Sequence, residues 1–324
     1  MKILITGGGG FLGFRLAKTL LARGQLGGKP IASITLLDGA FPAAAAQESR
    51  QDTKLRAVTG DVSDAKTLAQ VCPPDTDAVF HLAAVVSGAA EADFDLGMRV
   101  NLKGMELQLE TMRRCTKPPR LVYTSSVAAF GGELPAVLDD STIANPQTSY
   151  GAQKVIGEYL VTDYSRKGFL DGRSLRLPTI VVRAGKPNAA ASSFASGIIR
   201  EPLNGVTSAC PVAPETGVWL LSPRRVVDAF IHAWELPAEA WGSQRWLNLP
   251  GITATVAQMI EALRRVAGDA VARRVVYKPD ARIQAIVRTW PVNFRTPRAL
   301  AMGFKPDADV DSVIRDYIAD EGIK

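Results

Sequence analysis

The chain has 324 residues, 47% of them hydrophobic and 22% charged, and its 38 Lys and Arg against 32 Asp and Glu leave a net charge of +6 spread along its length. That length can bury a real core, as one large α/β domain or as a nucleotide-binding domain with a smaller companion. No apolar run approaches the ~18 residues that cross a bilayer. The three cysteines, Cys72, Cys115 and Cys210, and the two histidines lack metal-like spacing, so no metal site is expected and a reducing compartment fits.

Ile3-Leu4-Ile5-Thr6 reads as a short buried strand that runs into Gly7-Gly8-Gly9-Gly10. Lys2 before an apolar stretch imitates a leader peptide, but the run dies in glycines with no cleavage site, and a cytoplasmic protein is expected. Gly7, Gly10 and Gly13 stand three apart, the spacing of a dinucleotide-binding turn. The helix opening at Phe11 and Leu12 then turns free amides and the positive end of its dipole toward a pyrophosphate.

Ile31–Leu37 has the β-branched character of a buried parallel strand and ends in Asp38. A carboxylate there accepts from the adenosine ribose hydroxyls and repels a 2′-phosphate, which favours NAD over NADP; the plainer alternative is a turn-forming Asp before Gly39. Residues 41–54 read as a helix or a loose insertion. Leu55–Thr59 is a third strand, and the turn after it holds Asp61 and Val62 beside the adenine, with Ser63 as helix N-cap. Ala78–Ala84 is a fourth strand in which His81 packs within the sheet, and Leu82, Ala83 and Ala84 close it with small residues that let a cofactor lie on the backbone. Phe94–Met112 is a long helix carrying Asn101. Arg120–Ser126 is a fifth strand ending in hydroxyls, where open α/β sheets place ligands.

This alternation implies a Rossmann-type, right-handed, doubly wound parallel sheet over residues 1–177. From 178 to 324 the elements shorten and Pro and Gly become frequent, implying a smaller, partly helical substrate region over the carboxyl edge of the sheet, with some segments returning to it. Its helices are 223–234, capped by Ser222 with Pro at the first position; 256–266, with a Thr255/Gln258 capping box; and 297–302. The basic run Arg273, Arg274, Lys278, Arg282, Arg288, Arg295, Arg298 fits a solvated face over core residues better than a nucleic-acid groove, and an acidic small substrate is a second explanation.

Tyr150 and Lys154 lie one turn apart at the start of a helix that Ser149 can cap. A free phenol titrates near ~10; lowering it by about three units needs roughly 4 kcal/mol, which one cation ~4 Å away supplies at an effective dielectric of ~20. Lys154, with help from an oxidised nicotinamide ring, is therefore sufficient in magnitude to make Tyr150 a base.

With Thr6-Gly7 to Gly13, Leu37-Asp38, Gly60-Asp61-Val62, His81-Leu82-Ala83-Ala84, Val100-Asn101, Ser125-Ser126 and Tyr150-Gly151-Ala152-Gln153-Lys154 in place, the chain resembles an extended short-chain dehydrogenase/reductase over nearly its whole length. That group includes sugar-nucleotide epimerases and dehydratases. The resemblance implies NAD as cofactor, Tyr150 as acid/base, and Lys154 as ligand of the nicotinamide ribose. It also implies Ser126, five residues before Gly131, as the hydroxyl orienting the substrate oxygen, and counts Asn101 and Pro178 among cofactor contacts.

Two departures bear on substrate. Phe130 replaces a Tyr common in the sugar-nucleotide branch, and Arg183–Leu203 replaces that branch's Arg-x-x-Asn-x-Tyr-Gly-Pro segment. This stretch, with Leu177-Pro178-Thr179-Ile180, resembles the branch that oxidises the four-carbon sugar acid D-erythronate at C2. Arg183, Asn188, Ser192 and Ser87 are then candidates for the substrate, with Ser126 and Tyr150; an ion pair bracing the C-terminal region is the alternative for Arg183. A sugar-nucleotide epimerase or dehydratase using the same Ser, Tyr and Lys is the rival function, and a non-catalytic NAD-sensing or RNA-binding protein a weaker one. No nucleic acid or membrane partner is expected, and the resemblance implies a homodimer paired through helices 94–112 and 150–167.

Overall fold

In the computed structural model, which describes residues 1–185 and 191–323, the strand Lys2–Thr6 (β1) buries Ile3, Leu4, Ile5 and Thr6 almost completely. Side chains alternate across a strand, so Ile3 and Ile5 enter one core and Leu4 the other. The other strands are Ser33–Asp38 (β2), Leu55–Thr59 (β3), Ala78–His81 (β4), Arg120–Ser126 (β5), Asp171–Leu177 (β6) and Trp246–Asn248 (β7), of which the edge strand β3 buries only Leu55. Together they form one sheet in the order β7-β6-β5-β4-β1-β2-β3, parallel throughout. A parallel sheet needs helices on both faces. Helices Phe11–Arg23 and Pro223–Glu235 supply Leu16, Leu20, Val226 and Phe230 to one; Gly104–Met112 and Ser149–Arg166 supply Met105, Leu109 and Val161 to the other. Each such side chain contributes about 1.5–3 kcal/mol by leaving water.

Between β1 and β4 the strand order reverses, which opens a crevice at the carboxyl ends of the strands. A second core built on Val182, Ile198, Val218, Leu220, Met259, Leu263 and Ile314 belongs to the C-terminal region. It is framed by a small sheet of Thr179–Ile180, Gly217–Leu221 and Ile252–Thr255. The two regions interlock: β7 and helix Pro223–Glu235 lie beyond residue 177 yet complete the large sheet and its core.

Several local expectations shift. Residues 43–51 are a helix. The cap after β3 is Asp64, whose carboxylate accepts from the Lys66 and Thr67 amides, while Ser63 donates its hydroxyl to Asp61. Thr148, not Ser149, caps the helix of Tyr150, accepting from Gly151 N at 3.1 Å, and Ser149 N donates to Glu91 instead. The stretch 94–112 is helical throughout but widens into a π-turn over Met98–Lys103, a form of helix frequent at functional sites. His81 is buried and meets Thr6 Oγ1 at 3.0 Å, and burial drops its pKa to about 3, which keeps it neutral inside the sheet. Among the described residues no helix is long and apolar enough to cross a membrane.

Candidate active site

The glycine turn is built against backbone, and the geometry says which glycine does what. Gly7 has φ +71°, and a Cβ there would stand 2.7 Å from Ala83 N. A Cβ on Gly13 would stand 2.2 Å from Gly7 O, so this glycine lets the helix press on the turn. At Gly10 a Cβ would meet only Gly7 O at 3.2 Å, leaving its other side open for a close ligand. Helix Phe11–Arg23 has no side-chain cap, so its first amides are unsatisfied donors. Asp38 braces the turn by accepting from Gly9 N at 2.9 Å, and Asp61 pairs with Arg99. Gly7, Gly10, Asp38, Asp61, Val62, Leu82, Ala83 and Ala84 line a cavity of about 590 Å³ at the reversal point. An uncapped helix, a cradle with no Cβ and a carboxylate at the strand end fit NAD. Asn101 is not part of this lining: its side chain is spent on Val85 N (2.7 Å), Val85 O (3.1 Å) and Gln153 (2.8 Å), so it braces the loop after β4.

Beyond Phe11 and Leu12 a second cavity of about 270 Å³ continues from the turn. Ser126 comes to it from the end of β5 and Tyr150 from the first turn of helix Ser149–Arg166. Pro178, Ser87, Arg183 and Ser192 line it as well. Lys154 lies beneath, 2% exposed, donating to Thr124 O at 2.8 Å with its Nζ 5.5 Å from the Tyr150 ring centre.

The electrostatics enlarge the task expected of Lys154 and an oxidised nicotinamide ring. Burial pushes Tyr150 up to about 12, and the opposing pull comes from the Ser126 hydroxyl and then Arg183. Burial also drops Lys154 to about 7, against the attraction of Glu158. From about 12, reaching neutral pH requires roughly 7 kcal/mol. A single cation at ~4 Å supplies about 4 kcal/mol, and the pull of Arg183 is already contained in that value of about 12, so Lys154 needs a further positive charge beside it, which an oxidised nicotinamide ring would supply when bound.

Arg183 donates to Ser192 Oγ at 2.6 Å and to Ile180 O at 3.2 Å, and no carboxylate among the described residues pairs with it. The bracing ion pair is therefore not what holds it. Asn188 lies outside the described residues. What the chain order concealed is the opposite wall: Trp219, Ile286, Trp290, Pro291 and Val292 close the cavity. The last four come from the basic run, whose apolar residues face the site, while Arg273 pairs with Asp269 and the half-buried Arg298 donates to the carbonyls of Trp241, Gln244 and Trp246. Trp290-Pro291 was the one local hint, a large ring held before a proline.

The model of the NAD dependent epimerase/dehydratase family matches residues 3–219. A D-erythronate dehydrogenase of Cupriavidus necator is 59% identical over 100% of this chain and 99% of its own. A D-erythronate dehydrogenase of Haemophilus influenzae is 46% identical over 98% of this chain and 99% of its own. The crystal structure titled nucleoside-diphosphate-sugar epimerase from Agrobacterium tumefaciens superposes with a TM-score of 0.91 at 40% identity, over 100% of this chain and 95% of that one.

Proposed function

Because the chain belongs to the NAD-dependent epimerase/dehydratase family, we propose that it is an NAD-dependent dehydrogenase that oxidises a small sugar acid at C2, D-erythronate to 2-oxo-tetronate. The observation that carries the reading is the 270 Å³ cavity holding Ser126, Tyr150 and Arg183 together. It lies below the ~300–1,000 Å³ usual for drug-sized ligands, a fit for a four-carbon acid and a poor one for a nucleoside diphosphate sugar. Two full-length relatives named for D-erythronate support the substrate.

Gly7, Gly10, Phe11, Leu12 and Gly13 hold the pyrophosphate, Asp38 the adenosine ribose, Asp61, Val62 and Leu82–Ala84 the adenine side, and Lys154 and Pro178 the nicotinamide end. NAD, when bound, accepts the hydride. Ser126 orients the C2 hydroxyl, and Tyr150, as a phenolate stabilised by Lys154 and Arg183, takes its proton and becomes the neutral phenol. Arg183 and Ser192 receive the substrate carboxylate, with Ser87 at the cavity rim. Purified protein with NAD should form NADH with D-erythronate from a panel of aldonic acids and sugar nucleotides. Turnover of a sugar nucleotide without net NADH, beside indifference to every acid, would return the epimerase reading.

Two consequences are open to measurement. The Asp38 carboxylate accepts ribose hydroxyls and repels a 2′-phosphate, a charged hydrogen bond worth about 1.5–3 kcal/mol. NAD should outperform NADP, and Asp38→Asn should lower kcat/KM for NAD by roughly 10- to 100-fold; equal use of both cofactors by the wild type removes this role. Likewise the amide of erythronic acid, lacking the charge that meets Arg183, should lose about 10- to 100-fold in kcat/KM. An amide processed as well as the acid would release Arg183 from carboxylate binding.

The reading includes a cytoplasmic homodimer. Cys72, Cys115 and Cys210 are free thiols, and Phe94, Ile156 and Tyr159 are exposed by 57%, 42% and 69% on helices that a second copy would cover. Light scattering at twice the chain mass would support it, and a monomer at micromolar concentration would not.

A further inference from the structure

Helix Ser149–Arg166 carries Tyr150, Lys154 and Glu158 at four-residue spacing, three titratable groups along one face. The reaction as described uses the first two. Glu158 is 1% exposed and fully engaged: Oε1 accepts from the Ser125 hydroxyl at 2.5 Å and from Arg176 Nε at 2.8 Å, and Oε2 accepts from Arg176 Nη2 at 2.6 Å. Arg176 reaches it from β6 with its guanidinium 3.9 Å from the Trp246 ring centre and 4.9 Å from that of Phe130. Ser125 precedes Ser126 at the end of β5 and lines the same cavity, as does Phe130. Buried ion pairs are weak contributors to stability, since apolar replacements of equal size often serve as well. The bridge instead ties together three elements, β5, β6 and the helix, at the point where the reacting groups project.

We propose that Glu158 is a positioning residue of the reaction: through the buried Arg176–Glu158–Ser125 bridge it favours the ammonium form of Lys154 and clamps the strand end carrying Ser126 to the helix carrying Tyr150. The proposal rests on the reading of Tyr150 and Lys154 as the acid/base machinery given above.

The surroundings of Lys154 make the electrostatic half specific. Tyr150 and Glu158 face it from its own helix, His81 from β4, Tyr123 and the Thr124 carbonyl from β5, and Arg176 from β6 behind Glu158. His81 is neutral and the phenols are protonated at neutral pH, so Glu158 is the carboxylate that opposes the burial of the ammonium. An anion raises the pKa of a nearby amine, so its loss makes Lys154 release its proton at lower pH. At an effective dielectric of ~20, a unit charge even ~8 Å away moves a pKa by about 1.5 units.

The test titrates Lys154 directly, by the ¹³Cε resonance of the NAD-free protein assigned through Lys154→Arg, in wild type, Glu158→Gln, the double variant Glu158→Gln/Arg176→Gln, and Ser125→Ala. The double variant leaves no orphaned guanidinium, so it reports even where the single variant fails to fold. We expect a midpoint lower by about one unit or more in Glu158→Gln, lower by less in the double variant because the Arg176 cation is lost with the anion, and unchanged in Ser125→Ala. Ser125→Ala should lower kcat by about ten-fold with NAD affinity kept, through the loosened aim of Ser126. A Lys154 midpoint that stays put without Glu158 overturns the proposal, as does a wild-type kcat in Ser125→Ala. A wild-type protein that forms no NADH from any aldonic acid while the midpoint shifts as expected faults the functional reading and leaves the bridge's hold on Lys154 standing.

Discussion

Tyr150→Phe should lower kcat by about 10²- to 10⁴-fold, the usual range for losing a positioned acid or base, while leaving the affinity for NAD close to wild type. The ring that packs in the cavity is retained and only the oxygen is lost. That oxygen is partnered by the Ser126 hydroxyl and faces the charge of Arg183. Lys154, assigned to the nicotinamide ribose, holds its place through Thr124 O and not through the phenol, so the cofactor end of the site survives the substitution. Loss confined to kcat, with KM little changed, marks an interaction made only in the transition state. Stopped-flow single turnovers with D-erythronate, beside fluorescence titration with NAD, separate the two. Near-normal turnover of the Phe variant would end the assignment of Tyr150 as base.

Gly13→Ala should abolish useful NAD binding, and the comparison with Gly10→Ala makes the cause visible. The added Cβ at Gly13 would lie 2.2 Å from Gly7 O and 2.9 Å from Gly8 Cα. Both are backbone atoms of the phosphate turn, so no rotamer change relieves the collision, and the helix must move off the turn. Overpacking costs typically about 1–3 kcal/mol; with backbone as the obstacle the upper end applies, roughly a 100-fold loss of NAD affinity together with a lower Tm of the NAD-free protein. Gly10→Ala meets nothing closer than 3.2 Å. It should leave the NAD-free Tm nearly unchanged and weaken NAD alone, because its methyl enters the space a phosphate needs. Equal Tm in both variants would mean the helix is not seated by Gly13.

What was legible in the sequence was local. Gly7, Gly10 and Gly13, the strand ending in Asp38, and Tyr150 one turn before Lys154 each carry their geometry in their spacing; the structure puts Gly7, Gly10 and Asp38 in one cavity and Tyr150 in the other. The Thr255/Gln258 box and the Ser222-Pro223 helix start stand as read. Elsewhere a choice between neighbours depended on what lay across from them: the Thr148 hydroxyl accepts from Gly151 N as the cap, while the Ser149 amide donates to Glu91, 58 positions away. Asn101, placed beside the cofactor by resemblance, turns out to brace Val85 and Gln153, partners 16 and 52 positions away.

The wall of Trp219, Ile286, Trp290 and Val292 was hidden for the same reason. Sequence spacing cannot say that a stretch past residue 280 folds back over Tyr150, and the arginines around it drew the reading toward charge. The activation of Tyr150 was misjudged in size. Counting one cation against a free phenol leaves out the burial that lifts Tyr150 to about 12 and depresses Lys154 to about 7. Burial is a property of the closed fold, and it is what makes Arg183 and Glu158 necessary to the account.

D-Erythronate carrying deuterium at C2 tests the central claim most directly. Incubated with the protein and NAD, it should transfer the label to the cofactor, giving deuterated NADH in step with 2-oxo-tetronate, both read by mass spectrometry. Unlabelled NADH would place the oxidation at another carbon, and no NADH with the label exchanged into water would contradict a dehydrogenase altogether.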